Sequence, residues 1–426
     1  MSPQPSLLLS QPLTLPVSKF TLPNRIAKAS MFEDCADPNT NLPSPQLKAI
    51  SSSWSTGSWG LILTGSVAID PLQATTNAVL VNQPNLPKTT LLTSLQSWAD
   101  AFRPHNSNIS PSPVIVQLVH PGKQLLRFAS KSRSIFEPPL APSAIPLDLG
   151  PGLLPKIVRT LMFANPREMT LTEIQSLISN HAHSAKVVAK AGFNGVQIHA
   201  AHGFLLTQFL SPTSNKRTDA YGGTAAKRAR IVLEIIAAVR EATKEFKGFI
   251  VGLKLNSVDH QQADQKGVDD SIEQLRLLAR TELDFVEISG GTFEDARPRE
   301  MVSESTKKRE AFFLEFAKIA KRELAGIPLM VTGGFASRLG MEEALRRGDC
   351  DMVGLGRPSI FDPLLPRNVL LNPEVKDEDA KVTRVTVPVP WLLQKVPLKL
   401  VGAGVDATFH AKKLQALGST EKEKAG

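Results

Sequence analysis

Cysteine and tyrosine are nearly missing from this chain: its 426 residues include only Cys35, Cys350 and Tyr221 of these types. Two cysteines cannot build a disulfide framework, a cysteine-ligated zinc site or a four-thiolate iron–sulfur cluster. One tyrosine leaves a single phenol for any acid–base role. Long apolar runs are also absent, so no segment is expected to span a membrane. The opening MSPQPSLLLSQPLTLP lacks a basic n-region and is broken by prolines, which argues against a secretory signal and for a cytosolic protein. The net charge of +9 does not gather in a cluster, because Lys and Arg are spread along helical segments among acids. Nucleic acid is therefore not an expected partner; a diffuse positive field suits an anionic, phosphorylated cofactor. Finally, no glycine-rich dinucleotide turn follows an early strand, as an open doubly wound sheet would require.

What the chain does contain is a regular alternation. Short apolar runs at Arg25–Met31, Gly60–Ile69, Val114–Val119, Gly195–Ala201, Ile250–Ser257, Phe285–Gly291, Pro328–Gly334 and Asp351–Arg357 read as eight strands. They are near-continuous rather than alternating, as parallel strands covered on the outside should be. Helical periodicity fills the spaces between them at Leu171–Ala191, Lys227–Lys244, Ser271–Arg280, Glu310–Glu323 and Ser337–Arg347. Thr170 followed by Glu173 opens the first of these as a capping box, and Gly192 closes it. The expected fold is an α/β (β/α)8 TIM barrel, single-domain, over residues 25–375, after a leader at 1–24 and before a C-terminal extension at 376–426. A long irregular insertion, residues 121–166, leaves the third strand on the face where barrels place their active sites. The tail reads as a packed piece around Trp391 and Leu392 that ends in a solvated TEKEKAG.

Chemistry-bearing residues fall at the strand ends. Gly333 and Gly334 follow the seventh strand and Gly356 and Arg357 the eighth, where barrels commonly bind phosphate: glycines admit backbone N–H groups to an anion, and Arg357 adds a forked charge. Ser337 is placed to cap the helix beside them. Gln117 can donate and accept at once, matching an imide edge, and Lys254 is a cation inside an apolar run. At the fourth strand, GVQIHAAHGF sends His199 and His202 to the mouth together. Two imidazoles can grip one oxygen atom or bind a metal; with no nearby cysteine or His/Asp cluster to complete a ligand set, oxygen is expected and metal is not.

The motifs NRIAKASM, QLVHPGKQ, IHAAHGFLLTQFLSPTSNKRTDAYGG, VTGGF and GLGRP, in that order from about Leu13 to about Pro363, resemble the Old Yellow Enzyme family of FMN-dependent NAD(P)H:flavin oxidoreductases. The resemblance implies a barrel carrying FMN at its C-terminal mouth. Ser30, Met31, Phe32 and Gly65 would line the flavin, Gln117 and Lys254 would meet its pyrimidine part, and Gly333, Gly334, Gly356 and Arg357 would hold its phosphate end. His199 and His202 would grip a substrate carbonyl, and NADPH or NADH would be the reductant of a small unsaturated carbonyl compound. A homo-oligomer is compatible with this. Three departures from the family pattern stand out: Ser30-Met31-Phe32 replaces Pro-Met-Thr or Pro-Met-Cys, Lys254 replaces a frequent arginine, and Phe204 replaces the tyrosine that protonates the substrate's α-carbon. The last opens an alternative, a redox-neutral isomerase or desaturase. A flavin-free phosphate-binding lyase that uses Lys254 as a Schiff base is a rival of another class. The cysteine count excludes the dienoyl-CoA reductase branch.

Overall fold

A strand covered on both sides must be apolar on both faces, and these runs are. The computed structural model describes residues 7–75, 77–104, 110–129, 133–256, 265–289, 316–385, 387–388, 390 and 401–424. In it, eight parallel strands close into a barrel in chain order: β1 (Ile26–Lys28), β2 (Leu61–Ala68), β3 (Val114–Val119), β4 (Gly195–Ala200), β5 (Ile250–Asn256), β6 (Phe285–Ser289), β7 (Leu329–Thr332) and β8 (Met352–Leu355), with β8 pairing back onto β1. Each lies within one expected run; the expected ends at Ser257, Gly290 and Gly291 fall outside the described residues.

The two faces of the strands separate cleanly. Ala27, Leu61, Leu63, Ile115, Ile250, Phe285, Met330 and Met352 form an inner cluster, while Ile26, Ile62, Val116, Val196, Ile198, Val251, Val286 and Val353 join the larger cluster shared with the helices. The alternation hidden in the sequence is therefore present, with apolar residues on both sides. Leu22, from an antiparallel pair formed by Leu13–Thr14 and Thr21–Leu22, and Leu15, just after the first of these, complete the inner cluster at the N-terminal ends of the strands. That end is plugged, and inward-facing polar residues such as Gln117, Gln197, Lys254 and Glu287 lie further along their strands.

Two helices start at their predicted caps, Thr170 and Ser337. Leu171–Lys190 starts at Thr170 with both halves of the capping box made, and Ala225–Thr243 starts two residues before the expected Lys227 because Thr224 caps it. Gln265–Leu278 overlaps the expected Ser271–Arg280 but begins well before it, Arg338–Arg346 matches its expectation and is capped by Ser337, and of Glu310–Glu323, residues 316–323 are described and helical. The insertion is not irregular throughout. Leu153–Met162 is a helix whose only proline beyond the first residue pair, Pro155, sits in the first turn, where its missing N–H has no partner to lose. Its Leu153, Ile157 and Leu161 are exposed. Trp391 and Leu392 lie outside the described residues, and Val401–Lys424 forms a terminal helix with Leu414 buried.

Candidate active site

Strand register puts four polar side chains side by side on the inner wall. Gln117 on β3 is level with Gln197 on β4, and Lys254 on β5 is level with Glu287 on β6. All four are at most 3% exposed. They form one chain of hydrogen bonds: Lys254 Nζ to Glu287 Oε1 at 2.7 Å, Gln197 Nε2 to Glu287 Oε2 at 2.7 Å, Gln117 Nε2 to Gln197 Oε1 at 2.8 Å, and Ser66 Oγ to Gln117 Oε1 at 3.0 Å. Lys254 is thus a buried, ion-paired lysine. Gln197 and Glu287 are site residues that sequence reading passes over, although a lone polar residue inside an apolar run is the same signal that marks Gln117 and Lys254.

Above this layer β4 delivers the histidines. His199 is buried at the strand end, and the chain then turns through His202 at φ 59° and Gly203 at φ 74°. A left-handed non-glycine backbone needs support. Asn256 Oδ1 accepts the His202 N–H, and Gln124 Nε2 donates to its carbonyl at 2.8 Å. The left-handed backbone favours glycine at 203, and a Cβ there would come within 2.5 Å of that same Gln124 nitrogen and displace its hydrogen bond. The hydrogen bonds also fix the tautomers. His199 Nδ1 accepts from the Ala201 N–H at 3.1 Å, so its proton is on Nε2; that nitrogen faces His202 Nδ1 at 3.3 Å and donates to it. His202 must then carry its proton on Nε2, 3.1 Å from Ser289 Oγ. Burial pushes both rings down, His202 to about 3 with a further push from the Lys254 charge, and His199 well below its ordinary value with pushes from His202 and Lys254. Both are neutral donors at physiological pH.

Phe204 stands edge-on to His199, ring centroids 4.8 Å apart at 86°. The chain's one phenol is elsewhere: the Tyr221 hydroxyl donates to Glu234 at 2.8 Å and accepts from Gln175 at 3.0 Å, between helices, and burial beside Glu234 pushes it up to about 12. No tyrosine proton is available at the histidines.

The residues expected to hold FMN fit such a group. Ser30 Oγ, after β1, and Thr332 Oγ1, at the end of β7, are buried without a hydrogen-bond partner. Gly333 and Gly334 have φ of 113° and 82°, a left-handed backbone that favours glycine, and both face open space: a Cβ on either would meet nothing within 4 Å. Gly356 sits against Met31, joining the ends of β8 and β1. Arg357 reaches Asp406 of the terminal helix at 2.8 Å, and Arg384, which the sequence does not single out, donates to the Gly334 carbonyl. Phe32 is exposed beside them. Gly65 differs in detail: its N–H is taken by the buried Glu33 carboxylate at 2.7 Å, which fills the space a side chain there would need. Burial raises that carboxyl above its usual range, against the pull of Lys28 4.0 Å away. Among the described residues no three His, Cys, Asp or Glu side chains come together as a metal site.

A plugged parallel barrel with a polar mouth, paired imidazoles and glycines after its last two strands has the arrangement in which α/β-barrel enzymes place a phosphorylated ligand. Comparison with known proteins agrees. The profile of the NADH:flavin oxidoreductase / NADH oxidase family matches residues 9–373. An NADH-dependent flavin oxidoreductase of Neonectria sp. (strain DH2) is 40% identical over 94% of this chain, which spans 53% of that protein, about half its length. One from Talaromyces variabilis is 39% identical over 94% of this chain and 96% of its own. Morphinone reductase in complex with tetrahydroNAD shares the fold at a TM-score of 0.66 and 22% identity, covering 88% of this chain and 93% of that one. The chain belongs to the NADH:flavin oxidoreductase / NADH oxidase family, the Old Yellow Enzyme group, and FMN and NAD(P)H are the cofactor and reductant that membership carries.

Proposed function

We propose that this protein uses NADH, through FMN, to act on a small α,β-unsaturated carbonyl compound, and that its alkene half-reaction runs without a tyrosine acid. The observation that carries this is the neutral His199–His202 pair beside Phe204. FMN when bound supplies the hydride transfer. The protein's part is electrostatic. Each imidazole has one N–H; turned from its present partner to a carbonyl oxygen, it stabilises the negative charge that grows there as the alkene is reduced, more in the transition state than in the ground state. Phe204 gives an apolar wall and no proton. NADH as reductant is supported by the dependence of the Neonectria and Talaromyces relatives.

Ser30, Met31, Phe32, Gly65, Gln117 and Lys254 are assigned to the flavin, and Gly333, Gly334, Gly356 and Arg357, joined by Arg384, to its phosphate. The barrel at residues 25–375 carries the site apart from Arg384, which comes from the extension at 376–426; 1–24 is the leader and 121–166 the insertion beside the mouth. Phe204 also favours a second reading, a redox-neutral isomerase or desaturase, in which no proton from a tyrosine is needed. A Schiff-base lyase loses support, because Lys254 is buried and paired with Glu287 rather than free to attack. The test is to load the protein with FMN, add NADH and then a panel of enones, and identify products by mass. A product two hydrogens heavier supports the first reading; an isomer of the enone with no NADH consumed, or loss of two hydrogens from the matching saturated carbonyl compounds tried without NADH, supports the second; no conversion of either set contradicts both.

A further inference from the structure

Glu287 is fully buried on β6, and a carboxylate withdrawn from water is costly unless its oxygens are matched. They are matched one each, Oε1 to Lys254 and Oε2 to Gln197, both at 2.7 Å. A carboxylate only accepts, so the Gln197 amide must turn its NH2 toward Glu287 and its oxygen toward Gln117; Gln117 must then turn its NH2 to Gln197 and its oxygen to the Ser66 hydroxyl. The orientation of every amide in the row is dictated from one end. The same carboxylate offsets the charge of the buried cation beside it. The hydrogen bonds of the Glu287 carboxylate go to Lys254 and Gln197 and to neither histidine.

We propose that Glu287 is a positioning residue that sets the redox potential of the cofactor, by holding Lys254 in an ion pair and fixing which end of Gln117 faces the mouth. This rests on the assignment of Lys254 and Gln117 as flavin contacts. A reduced cofactor carries extra negative charge, and a cation in a low-dielectric wall favours it; a carboxylate 2.7 Å from that cation subtracts from the effect. Glu287 therefore holds the potential below what Lys254 alone would give.

The experiment is a dye-equilibrated reductive titration of FMN-loaded wild type, Glu287→Gln, Lys254→Arg and the Lys254→Arg/Glu287→Gln double variant, with a thermal melt of each. Glu287→Gln keeps the shape and one acceptor, and in the double variant the guanidinium keeps its charge whatever its surroundings. The expected result is a positive shift of the midpoint potential in both variants that lack the carboxylate, with Lys254→Arg close to wild type. If Glu287→Gln does not fold, the double variant is read against Lys254→Arg. Equal potentials with and without the carboxylate overturn the proposal, since a purely structural role would change the melt and leave the potential alone. Wild-type protein that takes up no FMN contradicts instead the assignment on which the proposal rests.

Discussion

Phe204 is one oxygen atom short of the residue that the family resemblance calls for, and that atom carries the proton. General acids are worth about a hundredfold to ten-thousandfold, so Phe204→Tyr is expected to raise enone reduction at least about tenfold while leaving NADH-dependent flavin reduction nearly unchanged. Single-turnover measurement of the two half-reactions checks this; equal enone turnover in both proteins would make Phe204 a packing residue. The neighbouring histidines lead to a second expectation. With His202 protonating only near pH 3 and His199 also held well below its ordinary value, kcat/KM for an enone should show no histidine inflection between pH 5 and 8, whereas two cationic rings would give a clear one. A pH profile measured with the F204Y variant, whose rate is higher, gives the cleaner reading.

At the scale of elements, one buried acid ties several of them together. Asp284, just before β6, accepts the N–H groups of Val17 and Ser18 on Oδ1 and that of Val251 on Oδ2, where it also pairs with Arg240 at 2.7 Å. It joins the N-terminal segment, the start of β5 and the helix Ala225–Thr243. Asp284→Ala strands three backbone donors and a mostly buried guanidinium, so it should cost at least about 3 kcal/mol by urea unfolding; a loss under about 1 kcal/mol would show that the clamp is dispensable. Long-range ties of this kind are not legible in a sequence, because nothing near Asp284 records that Val17 and Arg240 will meet it. The strands were legible because closure and a helical outer layer force both faces to be apolar. Caps at Thr170 and Ser337 were legible for a different reason, since each acts on a neighbour three residues away; Thr224 does the same and was passed over. The insertion was read as irregular because its prolines mask a helical period that begins only at Leu153. At the site, Gln117 and Lys254 could be singled out by their polarity, but their partners Gln197 and Glu287 emerge only from register, and the Arg384 contact with Gly334 only from the path of the tail.

The molecule as a whole carries several histidines that folding keeps neutral. Burial lowers His120 and His202 to about 3 and His181 to about 4. An unfolded chain would protonate each near its ordinary value of 6.5, so the folded state binds fewer protons between that pH and the lowered values. Stability is therefore complete above pH 6.5 and falls as the pH drops toward 3 to 4. At pH 5 each ring costs about 2 kcal/mol, from 1.36 kcal/mol per pH unit. Urea midpoints should fall steeply between pH 7 and 5; a flat profile would mean that these rings are hydrated or charged in the folded protein. The same whole-molecule view separates the two halves of the proposed cycle, since the residues assigned to FMN do not include Phe204, while the histidine end lacks a tyrosine acid. Rapid mixing of FMN-loaded wild type tests this most directly, first with NADH and then, for the reduced protein, with either oxygen or a simple enone. Fast bleaching of the flavin by NADH, followed by reoxidation that is slow with the enone and faster with oxygen, is the predicted result. Enone reoxidation as fast as in Phe204→Tyr, or a flavin that NADH fails to reduce, would contradict it.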